Sequence, residues 1–294
     1  MSEEKSRIFW TSRIAGAVII CLLLGWYSVH RHAQQAVAPM TVELQNLFYE
    51  NGLANNGTQD LTELAKKIGP ARMDRLLYDA APTISLAAMK WMVANGADPK
   101  NIGTLQDMSL LQRAAKLPQY DRMAYLLGFG LNPTTRTSDG RTLIHIAAAG
   151  DLDDRALALF MSKGLKIDDV DLLGRQAMHY ASLKSIPVLI SAGANISAVD
   201  SSGRTALHQA AKDGRNDAVT ALLAAGASVY DQDKAGKTPL HLAAKARNTD
   251  QVIETLLAAG APTTVRDSDG NTPRDLSEDT SRYGNRRSSI RDRL

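Results

Sequence analysis

Little in this chain can carry covalent or metal chemistry. One cysteine occurs in 294 residues, Cys21, and it sits in an uncharged apolar run near the N terminus. The residues beyond it can therefore form neither a disulfide framework nor a cysteine-type zinc site. A cysteine-free domain tolerates an oxidising compartment without requiring one. Aromatics are scarce at 5%, although 44% of the chain is apolar. A core with few rings must be filled by Ala, Leu, Ile, Val and Met, which suits small-residue helix packing better than a sandwich or barrel. Net charge is only +3, too mild to point to nucleic acid. Basic residues concentrate in 282–294, RYGNRRSSIRDRL, with five Arg against one Asp. That tail has no apolar face and reads as a soluble end. Nucleophile elbow, phosphate-binding loop and HExxH signatures are all missing. The expectation is a protein that is not an enzyme and takes no cofactor, metal or small-molecule substrate.

What is present begins with residues 14–29, IAGAVIICLLLGWYSV, an uncharged run flanked by Arg13 and by His30-Arg31-His32. Sixteen residues fall short of the roughly 20 that a bilayer core needs. Extension back through Ile8-Phe9-Trp10 reaches that span if Arg13 snorkels to the headgroups. Trp10, Trp26 and Tyr27 stand where interfacial aromatics belong. Lys5, Arg7 and Arg13 precede the run, whereas only Arg31 follows in the next twenty residues. The bias keeps residues 1–13 in the cytoplasm and exports the rest, making 14–29 a signal anchor. Cleavage after Ala36-Val37-Ala38 is the rival reading, opposed by the intervening HRH triplet and by Pro39 at the first mature position. A buried core helix is the third.

Periodicity organises the remainder. Gly96, Gly130, Gly164, Gly193, Gly226 and Gly260 each follow an apolar pair, at spacings of 34, 34, 29, 33 and 34 residues. A second series, Gly140, Gly174, Gly203, Gly236 and Gly270, runs in step. After its first four members come RTLIHIAA, RQAMHYAS, RTALHQAA and KTPLHLAA. Thr142, Thr205 and Thr238 have the chemistry of helix N-caps, and Pro239 loses only an amide that lacks a partner anyway. Paired alanines such as Ala210-Ala211 let neighbouring helices approach closely. Two earlier units, RLLYDAA (75–81) and SLLQRAA (109–115), place Tyr78 and Gln112 in the histidine column. One unit is short: His179 to Gly193 is 14 residues where other units have 18 or 19. Pro187 puts the start of its second helix near Ile186-Pro187, behind a clipped inter-helix turn.

This pattern resembles the ankyrin repeat, a unit of about 33 residues carrying T-P-L-H-x-A; the copy at 236–261, GKTPLHLAAKARNTDQVIETLLAAGA, is closest to it. The resemblance implies an all-α repeat solenoid: six repeats over 73–271, capping helices at 41–72 behind a linker at 30–40, and a polar cap at 272–281. It also implies structural roles for His145, His179, His208 and His241, each bonding its own Thr and the neighbouring hairpin. Repeats stand roughly 10 Å apart, too far for these rings to share a metal.

Ankyrin partners dock on hairpin tips and concave first helices, so the resemblance implies protein binding. Most tips are polar, but Asp171-Leu172-Leu173-Gly174 places two leucines at an exposed end. Val170 and Val199 stand just before neighbouring tips, and Tyr230 lies slightly further back. Together they form a candidate interface, with packing of the leucines onto the next finger as the rival reading. Arg141, Arg175, Arg204 and Lys237 follow the tip glycines as a basic column, read either as hairpin solvation or as steering for an acidic partner. A membrane-tethered, exported ankyrin domain resembles bacterial periplasmic ankyrin proteins, among them immunity proteins of secreted antibacterial effectors such as lipases. A scaffold for envelope proteins and a cytosol-facing protein of an organelle membrane remain open beside it.

Overall fold

The computed structural model describes residues 69–279, apart from 83–84, 103, 106–107 and 247–248. The anchor at 14–29, the flanking segments 1–13 and 30–40, most of the cap at 41–72 and the tail at 282–294 lie outside the described residues. No described helix is long and apolar enough to cross a membrane.

The described chain is built of antiparallel helix pairs in two units, one ending at 114 and resuming over 121–131, the other taking 115–120 and everything from 132. In the first unit, α1 (Pro70–Ala80) starts with Pro70 in its first turn, where the missing amide costs nothing. Met73, Leu76 and Leu77 follow at helical spacing and are buried. Helix α1 packs on α2 (Leu86–Ala94). A two-residue hairpin, β1 (Thr104–Leu105) against β2 (Met108–Ser109), leads into α3 (Leu110–Ala114) and α4 (Tyr120–Gly128). Thus the degenerate unit at 109–115 keeps a hairpin before its helix. The replacements for histidine in the two degenerate units are also legible in chemistry. Tyr78 donates its hydroxyl to the Met108 carbonyl of the following hairpin at 3.0 Å. Gln112 accepts from the Ser109 amide at 2.7 Å, while Ser109 Oγ accepts from the Gln112 amide, a reciprocal cap.

The second unit holds the regular repeats: α5 (Leu143–Ala149) with α6 (Asp154–Ser162), a 3-10 turn (Ala177–Tyr180) with α7 (Ser185–Ser191), α8 (Ala206–Asp213) with α9 (Asn216–Ala224), α10 (Pro239–Lys245) with α11 (Asp250–Ala258), and then α12 (Pro273–Asp279). First helices stack in chain order, from α5 through the 3-10 turn, α8 and α10 to α12. Ala147, Ala148, Ala210, Ala211, Ala243 and Ala244 are at most 1% exposed in that stack, because a methyl is what fits between backbones this close.

The short unit departs from the sequence expectation. Its inter-helix turn, 181–184, is no shorter than the turns at 150–153 and 246–249; the helices themselves have contracted. The first is a four-residue 3-10 turn, and α7 has seven residues where α6, α9 and α11 have nine. Helix α7 begins at Ser185, so Pro187 falls in its first turn, where no amide is required.

Candidate protein-binding surface on the hairpin tips

Four of the tips are folded by the carboxylate of their first residue, whereas the tip 137–140 uses Thr137, whose Oγ1 accepts the Arg141 amide at 3.0 Å. Asp171 Oδ1 accepts the amides of Leu173 and Arg175 at 2.8 and 2.9 Å. Asp200, Asp233 and Asp267 repeat this with the residues two and four further on, at 2.7–3.0 Å. Here an Asp side chain supplies the turn that the backbone needs. Successive tips are then laced by backbone bonds of 2.9–3.0 Å: Leu172 N–H to Asp139 O, Ser201 N–H to Leu173 O, Lys234 N–H to Ser202 O, and Ser268 N–H to Ala235 O.

The histidine column ties helices to these tips. Nε2 of His145, His179, His208 and His241 lies 2.9–3.2 Å from the carbonyls of Arg175, Arg204, Lys237 and Asn271. A carbonyl only accepts, so Nε2 carries the proton and Nδ1 is left with a lone pair. That lone pair accepts the backbone amide of residue 142, 176, 205 or 238 at 3.1–3.2 Å. The hydroxyls of Thr142, Thr205 and Thr238 add a bond of 2.8–2.9 Å; Gln176 has no hydroxyl to offer. Burial pushes all four imidazole pKa values below the ordinary value, outweighing the opposing carbonyl bond.

The basic column turns inward. Arg175 grips Asp171 Oδ2 through Nε at 2.9 Å and Nη2 at 2.8 Å. Arg204 Nε reaches Asp233 at 3.2 Å, and Lys237 pairs with Asp267 at 3.6 Å. These bases neutralise the carboxylates that fold the tips. Burial raises the Asp171 pKa, but bonds from Tyr180 and Arg175 outweigh it and the group stays below the usual range.

Outside this network stand the apolar candidates. Val170 is 47% exposed, Leu172 74%, Leu173 56%, Val199 56% and Tyr230 65%. Leu172 and Leu173 lie in the lacing between neighbouring tips, and Val170 and Val199 share a register position just before the tip aspartates. Tyr230 stands apart, with its hydroxyl 3.7 Å from where a Cβ on Gly260 would be.

Two residues, Tyr180 and Arg215, escaped the sequence reading. Tyr180 follows His179 where other repeats have Ile146, Gln209 and Leu242. Its hydroxyl donates to Asp171, and its ring carries the guanidinium carbons of Arg175 and Arg141 at 4.7 and 5.4 Å. Arg141 bonds Asp139 through Nη2 at 2.6 Å. Burial raises the Asp139 pKa, but hydrogen bonds from Arg141 and Thr137 prevail and bring it to about 2. Arg215, at the N terminus of α9, caps the short unit, donating to the carbonyls of His179, Tyr180 and Ala181 at 2.9, 3.3 and 2.9 Å. A lone aromatic in an otherwise aliphatic or amide column was a signal for Tyr180; nothing in the spacing marked Arg215.

Stacked helix pairs, laced tips and a histidine bridge to the next carbonyl define a stack of repeats whose histidine column ties helix to tip. Residues 155–233 and 178–267 match the family model described as "Ankyrin repeats (3 copies)", less than half of the chain in all. Residues 155–267 thus carry ankyrin repeats, which typically have no catalytic activity and generally mediate protein binding. No curated protein matches the sequence.

Proposed function

We propose that the protein is a non-catalytic binding module that holds one protein partner on the tip face around Val170, Leu172, Leu173 and Val199. The observation that carries this reading is the contrast on the tips. Charged groups are paired within the stack, while large apolar side chains project into solvent at a cost that an isolated monomer would not need to bear. The bases Arg175, Arg204 and Lys237 sit at its margin as supports rather than direct contacts, and Tyr230 stands apart from it.

The module is tethered by residues 14–29 and displayed outside the cytoplasm, a reading supported by the charge asymmetry around that run. In such a place it serves as an immunity protein, occluding a toxic effector secreted by a rival cell, in keeping with its resemblance to periplasmic ankyrin proteins. A C-terminal phosphatase fusion is active only if the domain is exported, and cytoplasmic fluorescence of the reciprocal fusion rejects that placement. Affinity capture with the full-length protein, compared with a Leu172→Asp, Leu173→Asp variant, tests the interface. The partner should be lost from the variant while helical signal and melting stay close to those of the parent. A partner retained by the variant, or a collapse in melting, rejects the tip face as the site. A captured toxin whose activity is blocked supports immunity, and a captured envelope enzyme left active supports a scaffold instead.

A further inference from the structure

Building on the binding reading above, we propose that the partner presents an acidic side chain beside an apolar one, Arg141 receiving the carboxylate while Leu172 and Leu173 receive the anchor. The regular tips show how a base in this column is normally used: Arg204 and Lys237 each reach forward to the buried carboxylate of the next tip. Arg141 cannot do so. Asp171 is already held by Arg175 and by the Tyr180 hydroxyl. Arg141 turns back to Asp139 instead, through Nη2 alone, in a pair whose side chains are 37% and 41% exposed. Its Nε is buried with no acceptor among the described residues, so the exposed part of the side chain is its terminal end. The Tyr180 ring supports that end, leaving a guanidinium with unused donors held in a fixed orientation, the arrangement suited to a carboxylate. The apolar half adjoins it. A Cβ on Gly140, the residue before Arg141, would lie 2.9 Å from Leu172 N and 3.0 Å from Leu172 Cγ. Nearby Arg136 offers no alternative, because it already serves Gly140 O, Val170 O and Asp169.

The test is selection of a random-peptide phage library on the full-length protein in detergent. Enriched peptides should carry Asp or Glu next to Leu, Ile or Phe. Arg141→Gln should weaken them about tenfold while lowering the melting temperature only modestly through the lost Asp139 pair, and Leu172→Ser with Leu173→Ser should abolish binding. Peptides without an acidic preference, or indifferent to Arg141→Gln but lost in the leucine variant, overturn the carboxylate proposal and leave the apolar dock standing. Peptides that bind the leucine variant equally well, or a selection that enriches nothing, overturn both.

Discussion

Arg215 shows how one side chain can stand in for a turn of helix. The 3-10 turn Ala177–Tyr180 is too short to use its own last carbonyls, and an orphaned carbonyl in a packed stack carries a desolvation cost. Arg215 reaches back from the next repeat and supplies donors to the turn's last two carbonyls, His179 and Tyr180, and to that of Ala181 just beyond. Burial lowers its pKa, with Asp213 at 3.6 Å opposing, yet a guanidinium stays charged at any ordinary pH. Arg215→Met keeps the aliphatic length and removes every donor. It should destabilise the domain by about 2–4 kcal/mol in urea unfolding. Arg215→Lys should recover only part of this, since an ammonium lacks the planar fork. A Met variant as stable as the parent would show that water satisfies those carbonyls.

At the scale of the element, the short unit contrasts what a sequence displays with what it conceals. Glycine, histidine and alanine recur at fixed intervals because each is nearly alone in its fitness for a place: a left-handed turn, a ring bridging an amide and a carbonyl, a methyl between helices. That made the units, their phase and the deficit after His179 legible, together with the exposure of Leu172 and Leu173. The compensation was not legible, because it is made by residues that elsewhere simply face water. Ser182 and Ser185 both bond the Gly150 carbonyl of the preceding repeat, and Ser185 Oγ also accepts the Leu152 amide at 3.1 Å. Length alone could not say whether turn or helix had contracted. Two substitutions separate the rigid tip from the tolerant helix start. Gly174 has φ 73°, and a Cβ there would lie 2.9 Å from Ser201 N, the donor to Leu173 O. Gly174→Ala should therefore cost about 2–3 kcal/mol, combining left-handed strain with a damaged tip bond. Pro187→Ala, in the first turn of α7, should change stability by less than about 1 kcal/mol. Urea midpoints for the pair, measured side by side, check the contrast; equal losses would mean that Pro187 holds the short helix in place.

Across the whole molecule, the repeated histidine turns a local bond into a response to acid. Four imidazoles have pKa values lowered by burial, and in each the neutral ring accepts at Nδ1 and donates at Nε2. Protonation converts the accepting nitrogen into a donor that faces an amide donor. An unfolded chain has no such constraint and titrates near an ordinary value of about 6.5. Below that pH the unfolded state therefore binds more protons than the folded one, and the slope of unfolding free energy with pH is positive. Stability is fully present above about pH 6.5 and is lost as pH falls towards the depressed folded values, each ring adding up to about 1.4 kcal/mol per pH unit. The tip carboxylates act in a separate window. Asp139, at about 2, and the lowered Asp171 and Asp267 begin to withdraw their contribution only as pH falls below the ordinary carboxylate value of about 4. Urea midpoints taken from about pH 7.5 to about pH 5 thus isolate the histidines. They should decline below about pH 6.5, and His208→Gln, which keeps a donor for the Lys237 carbonyl but does not titrate, should reduce the decline by roughly a quarter. A midpoint that holds level across this range would mean that the rings accept a proton within the fold, and that the bridge from helix to tip does not depend on a neutral imidazole.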